Sequence, residues 1–180
     1  HENIKTRSGD YRRFIENYKQ TLANLAAEGI FTVCYNFMPI LDWTRTELAW
    51  TLPNGAKALR FEKKEVVAFD LFILKRKGAD LDYSAEEITR AKDFFENASP
   101  ADLKRLQNNI LKGLPGSEEG YTMEQFQNAL DTYKGIGHSE LENHLRLFLD
   151  EILPIAEKNG VRMAIHPDDP PFDIFGLPRV

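Results

Sequence analysis

The chain has 180 residues, of which 42% are apolar, and this suits a single domain with a sizeable core. Its net charge of −5, with basic residues that never cluster, excludes an extended nucleic-acid-binding surface, and no apolar stretch is long enough to span a membrane. A single cysteine, Cys34, excludes an intramolecular disulfide and is typical of a protein from a reducing compartment such as the cytoplasm.

The first part of the chain predicts a helix that is followed by a buried strand. Residues 1–9 are polar and predict irregular structure. From Asp10 onward, apolar side chains recur at helical spacing, which indicates an amphipathic helix that ends at Gly29. Residues 30–35 are apolar and partly β-branched, as in a buried strand. A loop with many polar and large side chains is predicted for residues 36–50.

Residues 53–134 are predicted to form an insertion made of a hairpin and helices. Pro53-Asn54-Gly55 lies between two alternating apolar runs, which is the strongest short-range signal for a β-hairpin. Residues 65–74 have helical spacing, and this helix is expected to end at Gly78. Three further helices are indicated by their N-terminal signals, which are Ser84 with Glu87, Ser99 with Pro100, and Thr122 with Gln125. A linker at residues 113–120 separates the last two.

The end of the chain repeats the order of elements found at its start. Residues 139–158 predict a helix that ends at Gly160, and residues 161–165 predict a buried strand. Helix-then-strand units of this kind build parallel sheets, and they favour a partial (β/α)8 barrel, or TIM barrel. The sequence therefore predicts an α/β protein in which residues 1–180 form part of one barrel domain, with residues 53–134 inserted in it.

Aligning the two helix-then-strand units on their glycines predicts which side chains share a face. With Gly29 placed on Gly160, Tyr35 falls level with His166. Because side chains alternate along a strand, Tyr35 and His166 are predicted to point into the barrel interior near its carboxyl end. The same alternation predicts that Cys34 faces away from His166.

The last predicted strand runs directly into the segment His166-Pro-Asp-Asp-Pro-Pro171. Its three prolines stop the strand and stiffen the loop. A rigid polar cluster just past the carboxyl end of a buried strand is where α/β proteins place their chemistry. An ordinary strand-terminating turn with solvated aspartates explains the same spacing, so the pattern alone leaves both interpretations open.

Longer motifs occur in order along the whole chain. They are Val33–Pro39 with Leu41–Thr46, Leu52–Gly55, Ala58–Phe61, Gly113–Gly116 with Glu119–Thr122, and His166–Pro171 with Gly176–Arg179. Together these motifs resemble the mannonate dehydratase family of bacterial hexuronate catabolism. The resemblance extends from His1 to Val180, and its motifs are far longer than a lone signature, so it is highly specific.

The resemblance implies a (β/α)8 barrel of the xylose-isomerase-like group. It implies a hydro-lyase that removes water from D-mannonate to give 2-keto-3-deoxy-D-gluconate, with Mn2+ or Fe2+ as cofactor. The family holds its metal with two histidines, a cysteine and an aspartate, and only the first histidine maps onto this chain, as His166. The other ligands and the catalytic acid and base are expected downstream of Val180. The chain is therefore expected to be the central portion of a longer protein, incomplete as an enzyme by itself.

Four further residues are candidates for binding the sugar acid, and each has a plainer alternative. Asn36 is a candidate hydroxyl-binding group or a turn former, and Trp43 a wall of the pocket or a core side chain. Arg45 is a candidate bidentate partner of the substrate carboxylate or a surface ion pair. Asp168 is a candidate substrate contact or a cap of its own loop. His1 is a further side chain that is expected near the site.

Two other functions stay open at this point. A sugar isomerase or epimerase of the same barrel group also combines a strand-end histidine with a divalent cation, and it releases an isomeric sugar without loss of water. A catalytically incompetent fragment or binding module is the third interpretation, because most metal ligands are missing from the chain. The expected partners are D-mannonate and a second copy in a homodimer, with no nucleic acid and no membrane.

Overall fold

The computed structural model describes residues 1–112 and 120–180, and the chain divides into two compact units. The first unit comprises His1–Pro39, Thr132–Asp173 and Leu177–Val180, and the second comprises Ile40–Asp131 and Ile174–Gly176. The linker predicted at residues 113–120 lies outside the described residues, except for Gly120. The Gly113–Gly116 motif lies outside them as well.

The described residues form helices and strands in mixed order. The helices are α1 (Glu2–Thr6), α2 (Tyr11–Ala27), α3 (Lys63–Ala68), α4 (Ala85–Asn97), α5 (Pro100–Leu111), α6 (Met123–Asp131) and α7 (His138–Lys158). The strands are β1 (Thr32–Tyr35), β2 (Glu47–Thr51), β3 (Lys57–Arg60) and β4 (Arg162–Ile165). β1 pairs with β4 in parallel, and β2 pairs with β3 in antiparallel fashion. This confirms the α/β class, while the (β/α)8 barrel stays a prediction.

In the first unit, α2 and α7 pack together and α7 covers one face of the parallel strand pair. The ring of Phe148 in α7 lies 6.4 Å from that of Tyr35, 5.9 Å from that of Phe37, and edge-on to Tyr18 of α2 at 5.2 Å. The fully buried side chains between the helices are Ile15, Leu22, Leu141 and Ile152. Because burying each such side chain contributes about 1.5–3 kcal/mol, this packing holds the two strands in place.

Both helix–glycine–strand units form, but the prediction that their strands are buried is wrong, because the residues of β1 and β4 are half-buried or exposed. Gly29 has φ 78° and Gly160 has φ 69°, the left-handed conformation that glycine adopts at the end of a helix without strain. After each glycine, the next amide donates back to the last turn of its helix. These bonds are Ile30 N to Leu25 O, 2.9 Å, and Val161 N to Ala156 O, 2.8 Å.

The prediction of irregular structure for residues 1–9 is wrong, because α1 forms there. The imidazole Nδ1 of His1 accepts a bond from the Asn3 amide at 3.2 Å and so caps this short helix. The His1 ring stacks on Phe14 of α2 with 3.6 Å between ring centroids. Isolated helices of one turn are unstable in water, so these tertiary contacts and not helical periodicity make α1.

In the second unit, the predicted β-hairpin is confirmed. Its first strand begins at Glu47, inside the stretch predicted as a loop, because Thr46 N pairs with Arg60 O at 3.0 Å. Gly55 has φ 84°, which only glycine adopts readily, and it closes the turn by donating to Leu52 O at 2.9 Å. The Asn54 side chain accepts from the amide two residues ahead at 3.0 Å, as asparagine does in turns.

The helix predicted over residues 65–74 is interrupted. α3 ends at Ala68 and continues as a π-helical turn, Phe69–Leu74, which ends at Lys75 with φ 54° and not at the predicted Gly78. The three following helices are confirmed, with the predicted residues at their N-termini. Ser84 and Glu87 form a capping box, Ser99 caps α5 ahead of Pro100, and Thr122 and Gln125 exchange bonds of 2.9 and 3.1 Å.

A buried charge network lies beside the π-helical turn. Asp70 is fully buried, and its carboxylate accepts from Arg76 Nε at 3.0 Å, from Arg76 Nη2 at 2.7 Å and from the Tyr83 hydroxyl at 2.7 Å. Arg76 Nη2 also donates to Asp82 at 2.6 Å. Gly176, with φ 71°, lies against this arginine so closely that an added Cβ would meet Nη1 at 2.8 Å. A larger residue at this position would be strained by the positive φ and would press on the Arg76 guanidinium.

None of the helices in the described part of the chain is long and apolar enough to cross a lipid bilayer.

Candidate functional site

The carboxyl ends of the two parallel strands bring Asn36 and His166 side by side. Tyr35 is the register partner of Ile165, so the next residues of the two strands, Asn36 and His166, stand opposite each other. The His166 amide donates to the Tyr35 carbonyl at 2.7 Å, which extends the ladder to this point. The structure therefore brings Asn36, a predicted substrate-binding residue, next to His166, the predicted metal ligand.

The predicted pairing of Tyr35 with His166 is wrong by one residue. Register is set by the hydrogen bonds between the strands, and these pair Thr32 with Arg162 and Cys34 with Ala164. Tyr35 instead points toward the helices, where burial raises the pKa of its phenol above the ordinary value. Because Cys34 is level with Ala164, side-chain alternation places it on the same face as His166, and the prediction that it faces away is also wrong.

The imidazole of His166 is held in a tautomer that suits a metal ligand. Its Nδ1 lies 2.8 Å from the carbonyl oxygen of Pro167, so Nδ1 carries the hydrogen and donates to this acceptor. Metal-binding histidines in proteins have this arrangement, with one ring nitrogen donating to a carbonyl and the other facing the ion.

The described residues do not by themselves make a complete metal centre. Across residues 1–112 and 120–180, no three His, Cys, Asp or Glu side chains come together as a group that would hold a metal ion. One imidazole with the correct tautomer fits a divalent cation as a single ligand. The described residues therefore supply one candidate metal ligand.

Asp168 is buried two residues beyond His166 and ties down the end of the chain. Only 7% of its surface is exposed, and its Oδ2 accepts from the Val180 amide at 3.0 Å. This bond matches the plainer alternative, in which the carboxylate holds its own loop. A contact between Asp168 and the substrate stays a prediction.

A buried lysine fixes the loop that carries Asn36, and the sequence analysis missed it. Lys5 is 7% exposed; its ammonium group donates to the Met38 carbonyl and pairs with Glu2 at 2.7 Å. The second carboxylate oxygen of Glu2 accepts from the Tyr133 hydroxyl. The sequence signal was weak, because a Glu–Lys pair three residues apart is common on any helix surface.

Trp43 and Arg45 lie in the second unit. Trp43 is half-buried and adopts a left-handed backbone conformation with φ 52°, which is unusual for a bulky residue. Arg45 is half-buried, and its Nη1 donates to the Thr44 carbonyl at 2.9 Å. Their roles at a sugar-acid site stay predictions. His1, which was expected near the site, caps α1 as described above.

His138 connects the start of α7 to the segment that follows the His166 loop. Its Nε2 lies 2.9 Å from an Asp173 carboxylate oxygen and its Nδ1 lies 3.1 Å from the Arg179 carbonyl oxygen. Both partners are acceptors, so the doubly protonated ring satisfies both. The Asp173 carboxylate, followed by the Arg179 carbonyl, therefore raises the pKa of His138 above its ordinary value.

This raised pKa predicts a stabilising contact that depends on pH. The contribution is fully present below the unfolded-state pKa of about 6.5, and it is lost as the pH rises through the higher folded-state pKa. We expect His138→Gln to lower the free energy of unfolding at mildly acidic pH and to have a smaller effect at alkaline pH. Urea unfolding at both pH values measures this. Asp173→Asn should remove the same pH-dependent part, and an equal effect of His138→Gln at both pH values would contradict the prediction.

Comparisons with known proteins give a consistent result over the whole chain. A family model described as D-mannonate dehydratase (UxuA) matches residues 1–180. The mannonate dehydratase of Marinomonas sp. (strain MWYL1) is 60% identical over 180 residues, which cover 100% of this chain and 46% of that protein. The mannonate dehydratase of Saccharophagus degradans (strain 2-40) is 48% identical over 180 residues and is covered to 45%. The chain thus spans about half the length of the curated relatives it matches.

A solved structure agrees with these relatives. The crystal structure of mannonate dehydratase from Streptococcus suis serotype 2 matches with a TM-score of 0.61 and 32% sequence identity. The match covers 99% of this chain and 37% of the crystallised chain.

Proposed function

The chain belongs to the D-mannonate dehydratase (UxuA) family, and on that premise we propose that its full-length protein removes water from D-mannonate to give 2-keto-3-deoxy-D-gluconate. This reaction is a step of hexuronate catabolism. The observation that carries the proposal is the 60% identity to a mannonate dehydratase over the whole chain. Because the chain spans only 46% of that relative, the proposal concerns the full-length protein and not the isolated 180 residues.

The chemistry of this reaction explains why a strand-end histidine is needed. Dehydration requires a base for the C2 proton and an acid for the C3 hydroxyl, and the C2 proton is poorly acidic beside a carboxylate. A divalent cation, proposed here as Mn2+ or Fe2+, supplies Lewis acidity that stabilises the charge developing at the carboxylate. We propose His166 as one ligand of this cation, and its position at the carboxyl end of a parallel strand, with Nδ1 2.8 Å from the Pro167 carbonyl oxygen, supports this.

The residues around His166 suggest how a sugar acid is held. Asn36 stands opposite His166 at the end of the neighbouring strand, and this position supports our proposal that it binds a substrate hydroxyl. We propose Arg45 as the bidentate partner of the substrate carboxylate, and Trp43 and Asp168 as further substrate-binding residues. The rigid backbone of the Asn36 loop, fixed by Lys5 at Met38, favours such positioning.

The stagger between the two helix–glycine–strand units supports the proposed barrel. Thr32 lies three residues after Gly29, whereas Arg162 lies two residues after Gly160. These two residues nevertheless pair, so the strands are staggered by one residue relative to an alignment on the two glycines. A closed barrel with eight strands and a shear of eight residues staggers neighbouring strands by about one residue on average. A xylose-isomerase-like barrel therefore accommodates β1 and β4 as neighbours.

We also propose a cytoplasmic location for the protein, which its single cysteine favours. The homodimer stays a prediction.

An assay on the full-length protein tests the proposal directly. With Mn2+ or Fe2+ added, we expect D-mannonate to disappear with stoichiometric appearance of a 2-keto-3-deoxy acid, followed by proton NMR. An isomeric product that retains the water would instead favour an isomerase or epimerase of the same barrel group. Absence of both metal binding and turnover would favour the incompetent fragment.

A further inference from the structure

The second unit contains a cavity that the proposed dehydratase function does not use. It has a volume of about 380 Å3 and lies between the β2–β3 hairpin and helices α3, α4 and α5. Trp50, Phe94 and Leu106 provide its apolar part. The Trp50 side chain is 44% exposed, a large exposed fraction for an indole at a concave surface. A volume of this size is within the usual range for small-molecule sites, which begins at about 300 Å3.

The charged side chains around the cavity form ion pairs with one another. The Arg60 guanidinium stacks over the Trp50 ring at 4.1 Å and lies 3.9 Å from Glu65. On the other side, Arg105 lies 3.3 Å from Glu47 and 2.7 Å from Asp102. Each arginine thus already faces carboxylates of the rim, and because the Arg105 side chain is 56% exposed, water screens its ion pairs.

The charges around the cavity favour a neutral ligand over an anion. Its lining contains the carboxyl groups of Glu47, Glu65 and Asp102 against two guanidinium groups, so an added carboxylate would meet an excess of negative charge. Carboxylate and guanidinium groups can hydrogen-bond to adjacent sugar hydroxyls. An aromatic side chain can pack against the C–H face of a sugar ring.

We propose that this cavity binds a neutral monosaccharide, which packs beside the stacked Trp50 and Arg60 side chains and hydrogen-bonds to the carboxylates and guanidinium groups of its rim. The proposal does not depend on the dehydratase function. Sugar hydroxyls are both donors and acceptors, and the rim offers partners of both kinds. A uronic acid of the same size is expected to bind more weakly, because its carboxylate would meet three carboxyl groups against two guanidinium groups.

Two matched probes and matched variants test this in the full-length protein. The probes are methyl β-D-glucopyranoside and its uronate counterpart, which differ only in a hydroxymethyl or carboxylate group. We expect saturation-transfer NMR to show binding of the glucoside, and Trp50→Ala to weaken it by about tenfold, the scale of a lost aromatic contact. The control is Leu59→Ala, which removes another exposed apolar side chain of the same hairpin outside the cavity and should leave binding unchanged.

Several results would overturn the proposal. These are no binding of the glucoside, equal binding to Trp50→Ala, or equal binding of the uronate. A change of oligomeric state in Trp50→Ala with no change in sugar binding would assign the surface to a contact between copies. If Trp50→Ala does not fold, Asn97→Ala replaces it, because Asn97 lines the cavity with an exposed side chain. That variant should bind the glucoside several-fold more weakly, and unchanged binding would count against the proposal.

Discussion

Replacing His166 with alanine in the full-length protein should remove the bound divalent cation and abolish most of the dehydration of D-mannonate. Loss of an outer-shell partner of a metal ligand alone costs roughly 10–100-fold in affinity or activity, and loss of the ligand itself should cost more. The expected result is therefore a metal content near zero and a fall in kcat/KM of more than about 100-fold. Metal analysis of the purified variant and a product assay measure both quantities.

His166→Asn separates metal ligation from the local fold. The asparagine Nδ2 takes the place of the imidazole Nδ1, so it retains a donor for the Pro167 carbonyl, which the histidine contacts at 2.8 Å. The same substitution removes Nε2, the atom proposed to face the metal. We therefore expect His166→Asn to fold normally and to lose its metal as completely as His166→Ala. A metal content equal to that of the parent protein would exclude His166 as a ligand.

His138→Gln is the matched control, because it removes another histidine of the same unit. His138 contacts Asp173 and the Arg179 carbonyl, and neither contact involves His166. Its metal content should equal that of the parent protein. Loss of metal in this variant as well would mean that the first unit as a whole, and not one imidazole, controls metal binding.

Local signals in the sequence predicted the elements well. Gly29 and Gly160 mark the helix ends because only glycine adopts their positive φ without strain. Ser84 and Ser99 mark the helix starts because their hydroxyls satisfy amides that lack partners within the helix. Such signals act within a few residues, so they can be read from the chain without knowledge of its tertiary structure.

The arrangement of the site required information that the sequence does not carry. The one-residue stagger that places Asn36, and not Tyr35, beside His166 is set by hydrogen bonds between strands that are separated by more than a hundred residues. The contact of Lys5 with Met38 likewise depends on a helix that forms only through tertiary contacts. The π-helical turn that carries Asp70 has no sequence signature that distinguishes it from an ordinary helix.

Replacing Asp70 with alanine is expected to destabilise the protein by about 3–5 kcal/mol, the cost of leaving one partner of a buried ion pair alone. Asp70 is fully buried, and the side chain of Arg76 is 13% exposed. The substitution removes both acceptors of the bidentate pair and the acceptor of the Tyr83 hydroxyl. Urea unfolding followed by circular dichroism measures the change in the free energy of unfolding.

Asp82→Asn provides a control on the same arginine. Asp82 also accepts from Arg76 Nη2, at 2.6 Å, but its side chain is 45% exposed, so water screens the interaction. Exposed ion pairs contribute about 0.2–1 kcal/mol, and we expect no more than that here. If Asp82→Asn and Asp70→Ala had equal effects, burial would not be the cause.

The double variant Asp70→Leu with Arg76→Met then distinguishes an unpaired charge from lost packing. Replacing both members of a buried pair by apolar side chains of similar volume is often neutral or stabilising, whereas breaking the pair is not. Both the double variant and Asp70→Ala leave the Tyr83 hydroxyl without its carboxylate acceptor, so this cost of about 1–3 kcal/mol does not distinguish them. We therefore expect it to be more stable than Asp70→Ala although it lacks more of the native network. Equal or lower stability would show that the specific hydrogen-bond geometry beside Gly176, rather than charge compensation, holds this part of the second unit together.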